Sequence, residues 1–542
     1  MTDQPRIGAD TVPAPDDCVL RCLLDRRARA DPERTFVRFW RGEAWSYAQT
    51  LDRVRRRATA LHDAGVRQGD HVLCWMGNGP DLLATWFAVN YLGAVYVPLN
   101  TAAKGRPLAH ILNNADARLM IAHPALLGRL ADVERGALRT ILVAGQDPEP
   151  VPAVDGLAVD RISDPAEARA GALALERPIE PWDIQAIMYT SGTTGNAKGV
   201  LFSYVQHYTM GPEAMEAIDA EDCCLIAGPI FHCGSTLYVY AMLAKGGTMA
   251  MIPEFRTADF WTAVRETGST VVLLLGVMAS FLLKAPPRDT DRSHPLRKAY
   301  IVPFGDDAQA FRNRFGVDLY TVYNMTEISS PLIAGPGITE AGLAGTPRAP
   351  FELRVVDPND MAVPTGAVGE LVVRSHRPWA LFSGYYNNPD ATVAATRNGW
   401  FHTGDAFRID EAGRFFFVDR LKDVIRRRGE NISSFELEAE ITAHPKIKEA
   451  VAVAVPSAVS EDEVLAVVTP LDGHTVDPAE LTEFLAERIA HYMVPRYIRI
   501  VADLPKTASG KLQKHVLRSD GVTADTWDRE TAGMRIKREA LS

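Results

Sequence analysis

The sequence contains little cysteine, and its cysteines lack the spacing of a structural or redox site. Six cysteines occur in 542 residues, at positions 18, 22, 74, 223, 224 and 233. None forms a Cys-x-x-Cys pair, so neither a zinc ribbon nor a thioredoxin-like motif is indicated. Six cysteines are also too few for a disulfide scaffold in a chain of this size. The composition therefore predicts a protein of a reducing compartment, the cytoplasm.

Long hydrophobic runs are also lacking. Residues 1–17 are polar and contain proline, without the apolar core that is typical of a signal peptide. The longest nearly continuous apolar run, Val271 to Leu283, is shorter than the roughly 18 residues that a membrane-spanning helix needs. We therefore expect a soluble protein without a membrane span.

An excess of positive charge is the third feature that the sequence lacks. The formal net charge is −10 at pH 7, which argues against a nucleic-acid partner held by phosphate contacts. A nucleotide site needs only a local positive patch and is not excluded. Hydrophobic residues make up 47% and charged residues 23% of the chain, as is typical of globular proteins. The length predicts roughly three or four core units.

Alternating strand and helix patterns fill the first part of the chain. His71 to Met76 and Ala94 to Pro98 have strand-like apolar patterns and flank a helix-like segment, Leu82 to Tyr91. Strand, helix and strand joined by short turns indicate a mostly parallel sheet covered by helices. Further along, the valine-rich segment Val355 to Arg374 predicts antiparallel strands and a change of subdomain.

Several helices are predicted from local signals. Ser46 is the expected N-terminal cap of one helix, and a second helix is predicted over Ser203 to Ala220. The C-terminal part has its own α/β pattern, with helices expected over residues 434–443 and Pro478 to His491. The polar tail after Arg518 is predicted to have little structure.

The strongest chemical signal is a run rich in glycine and hydroxyl groups, Tyr189 to Val200. Its Ser, Thr, Gly and Lys residues are Thr190, Ser191, Gly192, Thr193, Thr194, Gly195, Lys198 and Gly199. Glycines let backbone N–H groups point toward one centre, and such a nest with a lysine binds anions. The spacing differs from a Walker-type P-loop, because Ala197 stands five residues after Gly192 and Gly199 follows Lys198. We predict a polyphosphate-binding loop of another kind; a flexible linker is the alternative.

Two further places combine a strand end with polar side chains. Tyr323 ends a predicted strand and is followed by Thr326 and Glu327. An aromatic ring can stack on a base, a hydroxyl can hold a phosphate, and a carboxylate can hold Mg²⁺, which prefers oxygen ligands. Asp405 follows a tight glycine turn, where its two oxygens could accept hydrogen bonds from two ribose hydroxyls. The alternatives are an ordinary capped strand end and an ordinary surface turn.

These stretches and two others stand in an order that resembles the adenylate-forming enzymes, a family of acyl- and aryl-CoA ligases, luciferases and peptide-synthetase adenylation domains. The matching segments are Tyr189 to Val200, Leu319 to Glu327, Gly399 to Asp405, Arg420 to Ile432 and Leu504 to Lys514. Among acyl-CoA ligases, the chain is most similar to the crotonobetaine/carnitine–CoA ligase-like branch. It departs from the family pattern at residues 303–307, where relatives have a Gly-Gly-Ala-Pro-like turn facing the adenine. It also has Asn324 in place of glycine, and we expect the turn to survive because Asn tolerates left-handed backbone.

The resemblance implies an α/β fold in two parts. A large N-terminal domain of mixed βα subdomains and a β-rich subdomain would occupy residues 1–421. A smaller, mobile α+β domain would occupy residues 422–542, with Lys422 as the hinge about which it rotates.

The resemblance also implies residue roles. Lys511, Glu327 and Thr190 would be catalytic, Lys511 stabilising charge on the substrate carboxylate and the α-phosphate while Glu327 is the Mg²⁺ ligand. Arg420 would contact the ribose, and Gly429 would lie where the pantetheine arm of CoA passes. The residues implied to bind nucleotide or CoA are Ser191, Gly192, Thr193, Thr194, Gly195, Lys198, Tyr323, Asn324, Thr326, Asp405, Arg420 and Gly429.

Three implied roles have plain alternatives. His232, in a Pro-x-Phe-His stretch, would line the acyl pocket, or it is simply a half-buried histidine. Arg426, Arg427 and Arg428 would face a CoA phosphate, although basic clusters are usually solvated. Lys511 lies on a glycine-bearing loop, where a lysine is most often just exposed.

The implied function is ATP-dependent activation of a carboxylic acid to an acyl-adenylate, followed by transfer to coenzyme A. The cofactors would be ATP, Mg²⁺ and CoA, and no protein nucleophile is required, so none of the cysteines is assigned to catalysis. An alternative keeps adenylation but delivers the acyl group to a carrier protein or an amine. A third is a nucleotide-binding protein without catalysis. Aliphatic, aromatic, polycyclic and carnitine-like acids all remain open, as does the oligomeric state.

Overall fold

The computed structural model describes residues 11–145, 153–164, 171, 173–190, 197–305, 307–427, 430–457, 462–489, 491–507 and 512–534. The chain divides into two compact units. The larger unit contains residues 1–353 and 373–402, and the smaller unit contains residues 354–372 and 403–542. The domain boundary after residue 421 stays a prediction.

The secondary structure is mixed α/β, which confirms the predicted fold class. The strands are β1 (Thr35–Phe39), β2 (Ala44–Ser46), β3 (His71–Trp75), β4 (Val95–Pro98), β5 (Leu119–Ala122), β6 (Thr140–Val143), β7 (Ala158–Arg161), β8 (Ile184–Thr190), β9 (Lys198–Ser203), β10 (Cys223–Ile226), β11 (Thr248–Met251), β12 (Val271–Leu275), β13 (Lys298–Val302), β14 (Asp318–Met325), β15 (Ser329–Ala334), β16 (Leu343–Pro347), β17 (Phe351–Val356), β18 (Gly369–Ser375), β19 (Phe401–Ile409), β20 (Phe415–Arg420), β21 (Ile425–Arg427), β22 (Glu430–Ile432), β23 (Ile447–Pro456), β24 (Asp462–Pro470), β25 (Tyr497–Ile500) and β26 (Trp527–Asp528).

The α-helices are mostly short. They are α1 (Pro15–Cys18), α2 (Leu20–Ala30), α3 (Tyr47–Asp63), α4 (Pro80–Tyr91), α5 (Gly105–Asn114), α6 (Tyr204–Met210), α7 (Cys233–Lys245), α8 (Phe260–Thr267), α9 (Gly276–Lys284), α10 (Asp307–Phe315), α11 (Pro389–Ala395), α12 (Ser434–Thr442), α13 (Pro478–Ala486) and α14 (Lys514–Asp520). The described residues also form 3₁₀-helices at Pro124–Leu130 and Arg397–Gly399. Within the described ranges, no helix is long and apolar enough to cross a membrane.

A seven-stranded sheet in the larger unit confirms the predicted βαβ pattern. Its order is β7-β6-β5-β3-β4-β8-β9, and its pairs are parallel except for the antiparallel hairpin of β8 and β9. Helix α4 follows β3 and returns the chain to β4, and ten of its residues are buried, Leu82 to Tyr91. A helix that is apolar on all sides belongs in the core, so this crossover fixes the sheet from which the β8–β9 hairpin projects.

The second sheet of the larger unit is parallel in its middle and antiparallel at both ends. Its strands follow the order β16-β15-β14-β13-β12-β10-β11-β1-β2. The pairs from β14 through β13, β12, β10 and β11 to β1 are parallel, whereas β1–β2, β14–β15 and β15–β16 are antiparallel. Residues after β14 therefore lie at the carboxyl end of a parallel stretch, where α/β enzymes commonly bind ligands.

The smaller unit contains its own sheet and core. Strands β23-β24-β25-β26 form a four-stranded sheet, and β21 and β22 form a hairpin. Helix α12 contributes Leu437 and Ile441 to the core of this unit, and helix α13 contributes Leu481 and Leu485. Strands β17-β18-β19-β20 are neighbours and include the places where the chain passes between the units. The antiparallel pair β19–β20 carries the two residues predicted to contact the ribose.

Three predictions about secondary structure were wrong in extent. Helix α6 ends at Met210 instead of Ala220, because Pro212 follows Gly211 and disfavours helical backbone before it. Gly211 also lies so close to Leu237 that a Cβ would approach its carbonyl oxygen to 2.4 Å. Helix α13 ends at Ala486, short of His491. The part of the tail just after Arg518 is structured, since β26 at Trp527–Asp528 pairs with β25.

Candidate active site

The two ends of the glycine-rich loop are fixed by the β8–β9 hairpin. Thr190 ends β8, Lys198 begins β9, and the two residues are paired across the hairpin. At the base, the Tyr189 hydroxyl donates to Asn114 Oδ1 at 2.7 Å. Ser191, Gly192, Thr193, Thr194 and Gly195 lie outside the described residues. The hairpin therefore presents the Thr190 and Lys198 ends of the predicted phosphate loop together.

Lys198 and Glu327 are both in contact with one tyrosine, Tyr385. The Lys198 Nζ lies 4.7 Å from the centroid of the Tyr385 ring, a cation–π distance. The Tyr385 hydroxyl donates to Glu327 Oε1 at 3.0 Å. Glu327 is only 6% exposed and Tyr385 only 7%. Lys198 and Glu327, which lie in separate sequence motifs, thus both contact Tyr385, a residue that the sequence motifs did not identify.

The segment that carries Tyr385 is held between β9 and Glu327 by its backbone. The Leu201 N–H donates to Gly384 O at 3.0 Å, and the Tyr386 N–H donates to Gly199 O at 2.8 Å. The Phe382 N–H donates to Glu327 O at 2.8 Å. Gly384 has φ of 117°, a conformation that favours glycine. Tyr385 is therefore positioned by an added strand-like segment.

Burial and the neighbouring carboxylate keep Tyr385 protonated. Desolvation, followed by the charge of Glu327, raises the pKa of the Tyr385 hydroxyl well above its ordinary value. A phenol that stays protonated remains a hydrogen-bond donor to the carboxylate. The hydroxyl is thus a fixed donor across the physiological pH range.

The backbone around Glu327 differs from the predicted turn. Asn324 lies within β14, next to a register shift between Tyr323 and Met325, so the strand continues past Tyr323. The left-handed residue of this region is Ser329, with φ of 62°. The expectation that Asn324 replaces a left-handed glycine was therefore wrong, because a bulge accommodates the change of direction instead.

Thr326 is anchored through both its backbone and its side chain. Its carbonyl accepts a hydrogen bond from Gln206 Nε2 at 2.7 Å, and its hydroxyl lies 3.2 Å from Cys233 Sγ. His232 is half-buried, immediately precedes Cys233 and stands at the N-terminal cap position of α7. Its ring lies 4.6 Å from that of Phe231. The structure therefore places the Pro-x-Phe-His stretch beside Thr326, while the acyl-pocket role of His232 stays a prediction.

In the smaller unit, Asp405 and Arg420 form a close pair. They are opposite each other in the β19–β20 ladder, and Arg420 Nε lies 2.7 Å from Asp405 Oδ1. The Asp405 side chain is 2% exposed and the Arg420 side chain 41% exposed. Gly404 has φ of 69°, and its N–H donates to Glu370 Oε1 at 3.0 Å. The two predicted ribose contacts are thus adjacent, and a glycine turn fixes the carboxylate.

Lys422 is half-buried just after β20. Desolvation lowers its pKa, opposed by the charge of neighbouring Asp423. Asp423 is itself paired with Arg518 at 2.6 Å. Gly429 and Lys511 lie outside the described residues, so their roles stay predictions, as does the hinge role of Lys422.

Arg427 was predicted either to face a CoA phosphate or to be solvated, and both predictions were wrong. Its side chain is neither solvated nor available to a phosphate: the residue is 2% exposed, and Nη2 lies 2.6 Å from the carboxylate of Glu463. Nη1 donates to the carbonyls of Tyr492 at 2.9 Å and Val494 at 3.0 Å. A buried guanidinium needs such partners, so Arg427 supports the smaller unit.

The donor chemistry suits a Mg²⁺ ion shared with phosphate. In the described part of the chain, no group of three or more His, Cys, Asp or Glu side chains could hold a metal ion. Mg²⁺ is commonly held by one or two carboxylates together with substrate phosphates. A single carboxylate, Glu327, near the lysine end of a phosphate loop fits that pattern.

Comparison with known proteins identifies relatives over nearly the whole chain. The sequence model of the AMP-binding enzyme family matches residues 24–386, and that of the AMP-binding enzyme C-terminal domain matches residues 436–511. A crotonobetaine/carnitine–CoA ligase of Salmonella paratyphi A is 31% identical over 522 residues, covering 92% of this chain and 98% of the relative. Both parts of the chain are thus matched by one family.

Solved structures give the same result for the fold. ATP-bound MatB from Rhodopseudomonas palustris is 27% identical, with a TM-score of 0.78 over 92% of this chain and 98% of that chain. An anthranilate CoA ligase, AuaEII, in complex with anthranoyl-AMP has a TM-score of 0.82 over 92% of this chain and 96% of that chain, at 22% identity.

Proposed function

The chain belongs to the AMP-binding enzyme family and is an AMP-forming acid–CoA ligase, and we propose a two-step mechanism with roles for its residues. In the first step, the substrate carboxylate attacks the α-phosphorus of ATP, forming an acyl-adenylate and releasing pyrophosphate. In the second, the CoA thiol attacks the acyl carbonyl and AMP leaves. Because CoA supplies the nucleophile, no side chain needs to form a covalent intermediate.

The observation that carries the first step is the contact of Lys198 and Glu327 with Tyr385. Lys198, with the loop from Thr190, supplies positive charge and donors for the leaving pyrophosphate. Phosphoryl and adenylyl transfer depend mainly on positioning and charge neutralisation. Glu327 would hold Mg²⁺, which neutralises phosphate charge when bound. Thr326, anchored by Gln206, is available to orient a phosphate oxygen.

The nucleoside of ATP is assigned to the residues that were predicted to contact the adenine and the ribose. Tyr323, half-buried within β14, would stack on the adenine. Asp405 would accept from the ribose hydroxyls, with Arg420 holding its carboxylate in place. The pairing reduces the rotamer freedom of Asp405, which favours a defined ribose geometry.

The change from the first step to the second is assigned to residues whose roles rest on the family resemblance. Lys511 would stabilise charge during adenylation and be withdrawn before CoA attacks, with Lys422 as the pivot and Gly429 beside the pantetheine arm. Such gating by domain rotation separates two reactions at one site.

The cysteines support the assignment of the nucleophile to CoA. All six are free. Burial raises the pKa of the thiols of Cys18, Cys22, Cys74, Cys223 and Cys224, which disfavours the reactive thiolate. Free thiols also suit a reducing cytoplasm, the compartment that we propose.

A screen of carboxylic acids tests the function. Purified protein is incubated with ATP, Mg²⁺ and each acid, and acid-dependent exchange of pyrophosphate into ATP is measured. Acids of the crotonobetaine and carnitine kind belong in the panel because a relative is named for them. Thioester formation is then compared between CoA and a phosphopantetheinyl carrier protein. Exchange without CoA thioester would favour the carrier or an amine as acceptor, and no exchange with any acid would contradict the function.

The Lys511→Ala variant tests the division into two steps. We expect adenylation to fall by about 100-fold or more, as when a preorganised charge-stabilising group is removed. Thioester formation from supplied acyl-adenylate should persist within a few-fold of wild type. Equal loss of both steps would mean that Lys511 is a structural residue.

A further inference from the structure

Tyr385 is in contact with both charged groups assigned to the phosphates and metal of ATP. Its hydroxyl donates to Glu327 Oε1 at 3.0 Å, and its ring lies 4.7 Å from Lys198 Nζ. We propose that Tyr385 is a positioning residue of the adenylation step: the hydroxyl orients the Glu327 carboxylate for the metal, and the ring holds the Lys198 ammonium for the phosphates. The inference rests on the proposed function of Lys198 and Glu327.

Tyr385 contacts two groups of opposite charge, the Lys198 ammonium through its ring and the Glu327 carboxylate through its hydroxyl. A flexible lysine beside a buried carboxylate tends to form an ion pair, which would neutralise the charges that should act on ATP and on the metal. A ring face attracts the ammonium without supplying a counter-charge. The hydroxyl, in turn, fixes the carboxylate without neutralising it. One uncharged side chain therefore contacts both groups without adding a counter-charge of its own.

The backbone makes Tyr385 rigid enough for this role. Val200 and Tyr385 form an antiparallel bridge beside Lys198, and the Tyr385 N–H donates to Thr392 Oγ1 at 2.9 Å. The segment is tied to Glu327 itself by the Phe382 N–H, which donates to the Glu327 carbonyl at 2.8 Å. Residues positioned by such fixed partners can hold catalytic groups to within a fraction of an ångström.

Three variants separate the hydroxyl from the ring. Tyr385→Phe removes the donor to Glu327 and keeps the ring, whereas Tyr385→Leu removes both. Tyr386→Phe is the matched control, because the neighbouring Tyr386 hydroxyl also donates to a carboxylate, Asp116 Oδ2, at 3.0 Å. The dissociation constant of ATP is measured by calorimetry with and without Mg²⁺, which requires no turnover.

We expect a different signature for each variant. In Tyr385→Phe, ATP affinity without Mg²⁺ stays within about twofold, and the gain produced by Mg²⁺ falls by about tenfold, as for loss of a hydrogen bond to a charged group. In Tyr385→Leu, affinity without Mg²⁺ also falls, by about threefold to tenfold, because the ammonium has lost its ring. Tyr386→Phe should change neither constant. Acid-dependent pyrophosphate exchange should follow the same order.

A double-mutant cycle with Glu327→Gln excludes a general loss of stability. If the hydroxyl acts through Glu327, Tyr385→Phe should leave the Mg²⁺ gain of a Glu327→Gln protein unchanged. An unchanged Mg²⁺ gain in Tyr385→Phe itself, or equal effects of Tyr385→Phe and Tyr386→Phe, would overturn the inference. If wild-type protein gains no ATP affinity from Mg²⁺, the proposed metal role of Glu327 fails instead, so the two failures are distinguishable.

Discussion

At the scale of single residues, Arg427 illustrates how a basic cluster can belong to the interior. Three arginines in succession, Arg426 to Arg428, indicate an exposed or anion-binding face when only composition is considered. The structure places Arg427 on the β21–β22 hairpin, where its guanidinium contacts Glu463 and two backbone carbonyls. Alternation along a strand turns neighbouring residues to opposite faces, so one arginine of the cluster enters the core.

Replacing Arg427 should therefore destabilise the protein without affecting its ligands. Arg427→Met leaves the buried Glu463 carboxylate without its guanidinium, which costs about 3–5 kcal/mol when one partner of a buried pair is removed. The free energy of unfolding in urea measures this cost. Arg488→Met is the control, because Arg488 pairs with Glu440 at the surface and exposed pairs contribute about 1 kcal/mol or less.

Two further results would decide between structural and ligand-binding roles. Because a buried pair can be replaced by apolar residues at little cost, Arg427→Met combined with Glu463→Leu should recover much of the lost stability. A weakened affinity for CoA with unchanged stability would instead restore the role at a CoA phosphate.

Tyr385 shows why part of the site was not predicted. In the stretch Phe382 to Pro389, no local chemistry marks the tyrosines as different from core residues. The role of Tyr385 depends on the backbone pairing with β9 and on the contact with Glu327, which lies 58 residues away in the sequence. Lys198, Glu327 and Asp405, by contrast, lie in short motifs whose chemistry is local. Site residues within short motifs can therefore be predicted from the sequence, whereas a residue that contacts two motifs can be identified only from the folded structure.

At the scale of elements, helices α12 and α14 are joined by a buried charge cluster. Lys514, in α14, lies 2.8 Å from Glu438 Oε1 in α12 and also contacts the Ser434 hydroxyl. The Ser434 N–H and hydroxyl both donate to Asp419 Oδ2 at 2.6 Å. Although burial acts to lower the pKa of Lys514, the carboxylates of Glu438 and Asp419 raise it. Lys514 is therefore charged, and it links α14 to the end of β20.

Glu438 should make the stability of this element depend on pH. Burial raises its pKa from 4.5 to about 7, against the opposing effect of Lys514. A carboxyl whose pKa is higher in the folded state binds protons more tightly there, so its contribution to stability is complete below pH 4.5 and is lost as pH rises to about 7. The slope at its maximum is about 1.4 kcal/mol per pH unit.

Urea denaturation of the full-length protein at a series of pH values, followed for the transition of the smaller unit, measures how its stability depends on pH. Glu438→Gln should remove the decline between pH 4.5 and about 7, while Glu440→Gln, on the same helix but paired at the surface with Arg488, should retain it. Equal profiles for wild type and Glu438→Gln would show that Glu438 does not titrate in this range.

Elements were predictable where their signals are local. Ser46 caps α3 as expected, with a capping box in which Gln49 completes the reciprocal pair. The helix predicted over Ser203 to Ala220 is too long, since α6 ends at Met210. The close approach of Gly211 to Leu237 is a tertiary contact and could not be predicted from local sequence. Likewise, β26 is a two-residue strand that forms only because β25 is beside it. Elements that depend on a partner distant in the sequence are therefore difficult to predict from local composition.

At the scale of the whole molecule, each unit has its own hydrophobic core. One cluster in the larger unit is built around Trp86, Tyr240 and Met242, and one in the smaller unit around Leu437 and Ile441. Units with separate cores can unfold in separate transitions, in which case a single melting temperature is not a well-defined quantity. The stability predictions for Arg427 and Glu438 therefore apply to the smaller unit.

Calorimetry with one buried-arginine variant in each unit tests this separation. In the larger unit, Arg377 donates to both oxygens of Glu213 at 2.7 Å and is 1% exposed. We expect two heat-absorption transitions, with Arg377→Met lowering the midpoint of one and Arg427→Met lowering the midpoint of the other. A cost of about 3–5 kcal/mol should shift the affected midpoint by several degrees.

ATP with Mg²⁺ should raise the midpoint of the transition that Arg377→Met lowers. Lys198 and Glu327 belong to that unit, and a ligand stabilises the state that it binds. A single transition that both variants lower equally would instead mean that the chain unfolds as one cooperative unit.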